Sequence, residues 1–350
     1  MENPVHNKKE HIYWDICSIL PYQRTFNFVN GPRSIGKTYS TQKWLLKQAI
    51  KKYRETVYIV RTVYEKKEMP GTQAWDKVLL REFPAYYDNI TSDSKGIYLD
   101  GRTLVHIIAL SEAVKLKRLS FPNVYYIMFD EYQIEDKTAR YINGFSEPEL
   151  FVNIYHTIDR EENRVKCFLL GNNTSYYNPY HIYPLFGLPK DPSYFDNKEI
   201  WKNDLCLFHM ASVSEDLQKE KEKNKFLKGL EGTRYGDYAN KGIYRDDFEN
   251  NICSLGFNSR YLYTVKCGDK YFSLYNNFDK AVFTFSDSVQ ENCKAKIGLQ
   301  KEDVKFGFRY LKTEHKFLRE LLKRGYAMGT VTYTDMRVKA QVEPLLLSCL

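Results

Sequence analysis

The octapeptide Gly31-Pro32-Arg33-Ser34-Ile35-Gly36-Lys37-Thr38 constrains this chain more than any other stretch. It fits G-x-x-x-x-G-K-T, the loop whose backbone N–H groups wrap the phosphates of a nucleotide. Residues 26–29 before it have the composition of a short strand. Residues 39–53 after it place Leu45, Ala49 and Tyr53 at helical spacing. Strand, glycine loop and helix together aim N–H groups and a helix N-terminus at an anion. Gly31 and Gly36 let the backbone close around it. On this reading residues 31–36 form the cradle, Lys37 reaches the β- and γ-phosphates of ATP, and the Thr38 hydroxyl ligates Mg²⁺.

A phosphate loop becomes a hydrolase only with carboxylates on a neighbouring strand. Val124-Tyr125-Tyr126-Ile127-Met128-Phe129 is an unbroken apolar run of the kind found in buried parallel strands, and it ends in Asp130-Glu131. Open α/β sheets place ligand-binding residues at such strand ends. Asp130 suits the Mg²⁺ shell, and Glu131 is spaced to polarise an attacking water. The alternative for Glu131 is a carboxylate at a helix N-terminus. A third apolar run, 165–171, leads to Asn172, which can sense the γ-phosphate or hold the lytic water; the Asn172-Asn173 pair also suits a plain turn. Strands are predicted at 56–61 and 205–210 as well, with a hairpin about Asp100-Gly101. A helix is predicted over 147–159, where Leu150, Ile154 and Ile158 are four apart. Residues 65–71 read as a charged loop with Lys66 and Lys67, and 111–120 as a short helix or loop with Lys115, Lys117 and Arg118. The fold class is α/β: a P-loop domain with a mostly parallel sheet flanked by helices, followed by a small α+β domain.

Composition narrows the alternatives. At 350 residues the chain has room for two domains. No apolar run approaches the ~20 residues of a membrane span, and the first ten residues lack the apolar core of a signal peptide. Seven scattered cysteines with no C-x-x-C give neither a zinc site nor a disulfide framework, and reduced cytosolic thiols are expected. The net charge of +8 is concentrated at one end. Residues 251–350 hold 16 Lys and Arg against 10 Asp and Glu, which suggests a polyanionic partner.

In that basic region strands are predicted at 260–266, 271–275 and 281–285, then a helix over 301–324, a strand over 327–333 and a helix over 335–347. The order βββαβα fits an RNase H-like fold. Nucleases of that fold need a carboxylate in the first strand for two-metal chemistry. Here it reads Arg-Tyr-Leu-Tyr-Thr-Val-Lys, and Asp287 and Asp335 alone build no metal pair, so no nuclease activity is expected. In the 301–324 helix, Lys305, Arg309, Lys312, Lys316, Arg319 and Lys323 fall on one face. They form a stripe that can track a phosphate backbone or simply face solvent. Between the two domains, 214–230 reads as a polar helix capped by Ser214. The expected divisions are 1–213, an ATPase domain; 214–250, a linker or lid; and 251–350, a docking domain.

The chain resembles the DNA-packaging ATPases of φ29-like tailed phages. The resemblance is carried by Phe28-Val29-Asn30-Gly31 through Thr38, Ile59-Val60-Arg61, and Phe121-Pro122-Asn123-Val124 running to Asp130-Glu131. It continues in Arg160, Arg164-Val165-Lys166-Cys167, Asn172, Asn178-Pro179-Tyr180, Gly232-Thr233 and Tyr235-Gly236. It implies a homomeric pentameric ring at the portal of an empty capsid, in the host cytoplasm, driving double-stranded DNA inward with ATP. It further implies that Arg160 reaches a neighbour's site, where an arginine stabilises charge on the transferred phosphoryl; local pairing with Asp159, Glu161 or Glu162 is the alternative. Lys117 falls near a family lysine that acts between subunits. Packaging RNA, the portal or the capsid is the implied target of residues 251–350, and Lys66, Lys67, Lys115 and Lys117 are candidate DNA contacts. Two other functions are compatible with the motifs alone: a P-loop phosphotransferase acting on a small molecule, and a non-hydrolysing, nucleotide-switched nucleic-acid adaptor.

Overall fold

Apolar runs with no wet face become the centre of a nine-stranded sheet. The computed structural model describes residues 12–68, 74–134, 141–142, 147–174, 176, 178–189, 192–195, 198–225, 229, 251–290 and 293–350. The chain divides into two compact units: residues 1–176 with 180–246, and residues 247–350 with 177–179. The first half of the first unit runs β1 (Phe26–Asn30), α1 (Lys37–Lys52), β2 (Glu55–Val60), α2 (Val63–Glu68), α3 (Asp76–Glu82), α4 (Pro84–Tyr87), β3 (Ile90–Asp93), β4 (Gly96–Leu99), β5 (Arg102–Ala109) and a 3-10 helix, Leu110–Arg118. Its second half runs β6 (Val124–Asp130), α5 (Glu147–Asp159), β7 (Lys166–Gly171), α6 (Pro179–Ile182), β8 (Ile200–Lys202), β9 (Cys206–Met210) and α7 (Glu215–Glu222).

The sheet order is β3-β4-β5-β2-β6-β7-β1-β9-β8. The six strands from β5 to β9 are parallel, and antiparallel strands close both edges. Both faces are covered, which is why these strands read as continuous hydrophobic runs. Val29 packs in one layer with Leu45, Leu46 and Ala49 of α1. Phe26 and Phe28 pack in the other with Phe151, Ile154 and Ile158 of α5. The hairpin between β4 and β5 turns at Asp100 and Gly101, both at positive φ (49° and 78°), as a tight Asp-Gly turn requires.

Several expectations give way. Tyr53 is not on the buried helix face; it is an exposed left-handed cap after α1. Lys66 and Lys67 lie on helix α2, not in a charged loop. The Thr62 hydroxyl accepts from the Glu65 N–H at 3.1 Å, and the Glu65 carboxylate accepts from the Arg61 N–H at 2.9 Å, which starts the helix. The helix expected over 214–230 ends at Glu222; residues 226–228 and 230–250, including Gly232-Thr233 and Tyr235-Gly236, lie outside the described residues.

The second unit contains β10 (Ser259–Cys267), β11 (Lys270–Asn277), β12 (Val282–Ser286), β13 (Lys296–Gly298), a 3-10 helix (Lys301–Phe306), β14 (Arg309–Tyr310), α8 (Leu311–Glu314), α9 (Lys316–Ala327), β15 (Val331–Tyr333) and α10 (Met336–Cys349), in sheet order β14-β13-β10-β11-β12-β15. The meander and the final helix, N-capped by Asp335, are as expected. The single helix over 301–324 is not. Gly307, at φ 80°, ends the 3-10 turn, Arg309–Tyr310 pair with β13, and α9 starts only at Lys316. The six-residue basic stripe is therefore broken, with only Lys316, Arg319 and Lys323 sharing α9. Lys312 donates to the Ser348 carbonyl (3.1 Å) and Arg319 to that of Leu350 (3.0 Å), so two of the six sit on the C-terminal turn of α10.

Candidate active site

The parallel strands deliver the P-loop, Asn172 and Asp130-Glu131 to one edge of the sheet. They follow β1, β7 and β6, three neighbouring strands with β7 in the middle. Gly31 lies so close to Ala211 that a Cβ there would meet its carbonyl oxygen at 2.5 Å, and Gly36 adopts φ 95° at the start of α1. Trp14 donates to the Ile35 carbonyl (2.8 Å), so residues before β1 brace the loop from outside. The Lys37 ammonium is buried and donates to the carbonyls of Gly31 and Pro32, both at 2.8 Å, and to Asn172 Oδ1 at 3.2 Å. Burial lowers its pKa to about 7, against the pull of Asp130 and with help from Lys221 and Arg33.

Asp130 closes the site from β6. It accepts from the Glu131 N–H at 3.1 Å, and the Thr38 hydroxyl lies near enough to favour the charged carboxylate. Burial raises its pKa to about 6 despite both neighbours. Thr38 and Asp130 thus bring two hard oxygen donors together, the donor chemistry that Mg²⁺ prefers, and they fit that ion.

Glu131 is exposed and held at φ 54°, unusual for a residue with a side chain. Arg61, from the end of β2, fixes this turn. Its guanidinium donates to the Glu131 carbonyl at 3.0 Å and to the Tyr132 carbonyl, while Nε donates to both oxygens of Glu147 at 3.2 and 3.3 Å. Glu147 is fully buried and also accepts from the Tyr180 hydroxyl (3.0 Å) and the Ile142 N–H (2.7 Å). Arg61 and Glu147 are 86 residues apart, and nothing in the spacing of either foretold the pair. The same holds for a buried polar cluster behind the loop. The Tyr132 hydroxyl lies 2.7 Å from Asn30 Oδ1 and 2.6 Å from His181 Nε2, and accepts from Gln133 Nε2 at 3.0 Å. Gln133 in turn accepts from the Thr174 N–H at 3.3 Å. Burial lowers the His181 pKa to about 3, so the ring is neutral; Nδ1 donates to the Tyr176 carbonyl at 2.6 Å and Nε2 accepts.

The remaining candidates lie elsewhere. Arg160 follows α5, at the edge of the sheet where β7 begins. The six residues of β7, roughly 20 Å of strand, separate it from Asn172 at the other edge. It donates to the Leu119 carbonyl at 3.0 Å. The carboxylates beside it are engaged by others: Glu161 by His156, Glu162 by Arg164, and Asp159 by the N–H groups of Asn163, Arg164 and Val165. Lys66 pairs with Glu112 at 3.2 Å, and the exposed Lys115 lies 3.8 Å from the same carboxylate. Lys67 is exposed; the Lys117 side chain lies outside the described residues. Arg33 is exposed, and its carbonyl accepts from Lys221 of α7 at 3.0 Å.

Residues 8–345 match the family described as Podovirus DNA encapsidation protein (Gp16). The DNA packaging protein of Bacillus phage B103 is 30% identical over 247 residues, covering 71% of this chain and 73% of that protein. The N-terminal domain of the DNA packaging ATPase from bacteriophage phi29 superposes with a TM-score of 0.50 at 28% identity, covering 58% of this chain and 98% of that domain. A chain of the bacteriophage Phi-29 viral genome packaging motor assembly shares the fold over 97% of this chain and 100% of its own, with a TM-score of 0.70 at 21% identity. This chain belongs to the Podovirus DNA encapsidation protein (Gp16) family.

Proposed function

We propose that this chain is the ATP-hydrolysing subunit of a motor that drives double-stranded DNA into a procapsid. The observation that carries the reading is the meeting of P-loop, Asn172 and Asp130-Glu131 on adjacent strand ends β1-β7-β6; family membership supplies the cargo. The loop N–H groups receive the phosphates, and the Lys37 ammonium turns from the Gly31 and Pro32 carbonyls to the β- and γ-oxygens. Thr38 and Asp130 would hold Mg²⁺, which supplies positive charge to the phosphates. Glu131 polarises the attacking water. Asn172, already bonded to Lys37, registers whether that lysine has turned to a γ-phosphate.

Arg160 cannot serve its own site from the opposite edge of the sheet. A role on phosphate therefore calls for a neighbour in a ring, for which five subunits is the proposed number. Lys67, Lys115 and Lys117, with Lys66 behind them, contact the DNA backbone with little sequence preference. We assign ATP hydrolysis to residues 1–213, a linker or lid to 214–250, and docking on portal or packaging RNA to 251–350, through exposed Lys305, Arg309, Lys316 and Lys323. The site of action is the portal vertex in the host cytoplasm. No nuclease activity is proposed for residues 251–350: in the first strand of that unit the buried charged group is Lys266, paired with Asp303 at 3.4 Å.

The test is subunit mixing. Glu131→Gln and Arg160→Ala each lower ATP turnover at least 10²-fold. Mixed together, they recover measurable turnover, because some shared sites then carry both intact groups. Full activity of Arg160→Ala alone would contradict the shared site.

A further inference from the structure

We propose that Lys221 is a phosphate-contacting residue of the nucleotide site, one that distinguishes a nucleoside triphosphate from a diphosphate. The inference rests on the ATP-site reading above. Lys37 occupies the carbonyls of Gly31 and Pro32, and Lys221 occupies the next carbonyl along, that of Arg33, at 3.0 Å. Two ammonium groups are thus seated on three consecutive carbonyls of one phosphate loop. Lys37 is the group that serves the β- and γ-phosphates, so Lys221 stands beside the terminal end of the cradle.

The helix that carries it is fixed in place. The Ser214 hydroxyl donates to the Ile12 carbonyl at 2.6 Å and accepts from the Leu217 N–H at 3.3 Å. Leu217 is buried in the same core layer as Ile35 of the loop. Lys221 lies four residues beyond Leu217 and so shares its inward face. The other lysines of this stretch differ. Lys219 lies 3.8 Å from Asp216 and Lys223 lies 2.8 Å from Glu220, and both are largely exposed. Lys221 is half-buried and forms no ion pair among the described residues. Its charge meets only the partial charge of a carbonyl, beside a second buried ammonium. A polyanion placed between them relieves that repulsion and replaces a neutral acceptor with a charged one, which makes the stronger hydrogen bond.

The experiment measures binding of a non-hydrolysable ATP analogue and of ADP to the full chain, for wild type, Lys221→Gln, Lys221→Arg, Lys219→Gln and Lys37→Ala. Glutamine keeps a donor for the Arg33 carbonyl and removes the charge. Lys221→Gln is expected to weaken the triphosphate roughly tenfold and ADP less than about twofold. Lys221→Arg restores most of the loss, and Lys219→Gln changes neither affinity. Equal losses for both nucleotides in Lys221→Gln would make Lys221 a structural prop of the loop, and no loss would remove it from the site; either result overturns the proposal. Failure of the underlying reading is separately visible, because Lys37→Ala would then bind both nucleotides as wild type does.

Discussion

Each unit of this protein buries a lysine just after or near the end of its first strand, and the two are treated differently. Lys37 is 7% exposed and Lys266 6%. Lys266 has a full counter-charge in Asp303, itself buried, with the Gly268 carbonyl and the ring of Phe306 completing its surroundings. Lys37 has two carbonyls and an amide oxygen. A buried cation matched by a carboxylate is finished, and belongs to the structure. A buried cation whose direct bonds go to neutral acceptors, with its carboxylate neighbour Asp130 acting only through space, is destabilised, and is better served by a phosphate. The contrast separates the unit that handles nucleotide from the unit whose charge is settled internally.

The largest effect expected is on Lys37→Ala, which should lower ATP hydrolysis about 10³-fold while leaving thermal unfolding of residues 1–246 close to wild type. Lys266→Ala should do the reverse: nucleotide affinity holds, and the second unit loses about 3–5 kcal/mol because Asp303 is left buried and unpaired. Denaturant titration of that unit checks this, and Lys266→Met combined with Asp303→Leu should recover most of the loss. If both alanine variants behave alike, the distinction fails.

Arg61→Ala comes next. It frees the left-handed turn at Glu131 and strands Glu147, and should cost about 10²-fold in turnover with a smaller change in ATP affinity. A pH effect follows from Lys37 and Asp130. At pH 8 Lys37, with a pKa near 7, is mostly neutral, and bound phosphate restores its proton. Calorimetry in buffers of different ionisation enthalpy should therefore show uptake of up to about one proton per ATP. The uptake falls as Lys37 becomes charged and cancels about midway between the two pKa values. Below that it turns to release, as Asp130, raised to about 6, gives up its proton on binding Mg²⁺ and nucleotide. The smallest effect is on Tyr132→Phe, which removes one hydroxyl from the buried cluster and should cost about 0.5–1.5 kcal/mol of stability.

What sequence could reveal followed from local chemistry. The P-loop and Asp130-Glu131 are short patterns whose geometry the parallel strands supply, and β1, β2, β6, β7 and β9 were readable because both of their faces are buried. The helix over 301–324 misled because apolar spacing continued across Gly307, whose left-handed φ ends the turn, and no periodicity reports that. Arg61–Glu147 and Tyr132–His181 join distant positions through the sheet. Lys221 was hidden among similar lysines until Leu217 fixed which face of α7 turns inward.

The most direct test of the central claim is steady-state ATP hydrolysis by the full chain, with and without linear double-stranded DNA, for wild type and Glu131→Gln. The account predicts turnover stimulated by DNA in the wild type and abolished in Glu131→Gln, with ATP binding retained. Turnover that is indifferent to DNA, or that survives Glu131→Gln, would contradict it.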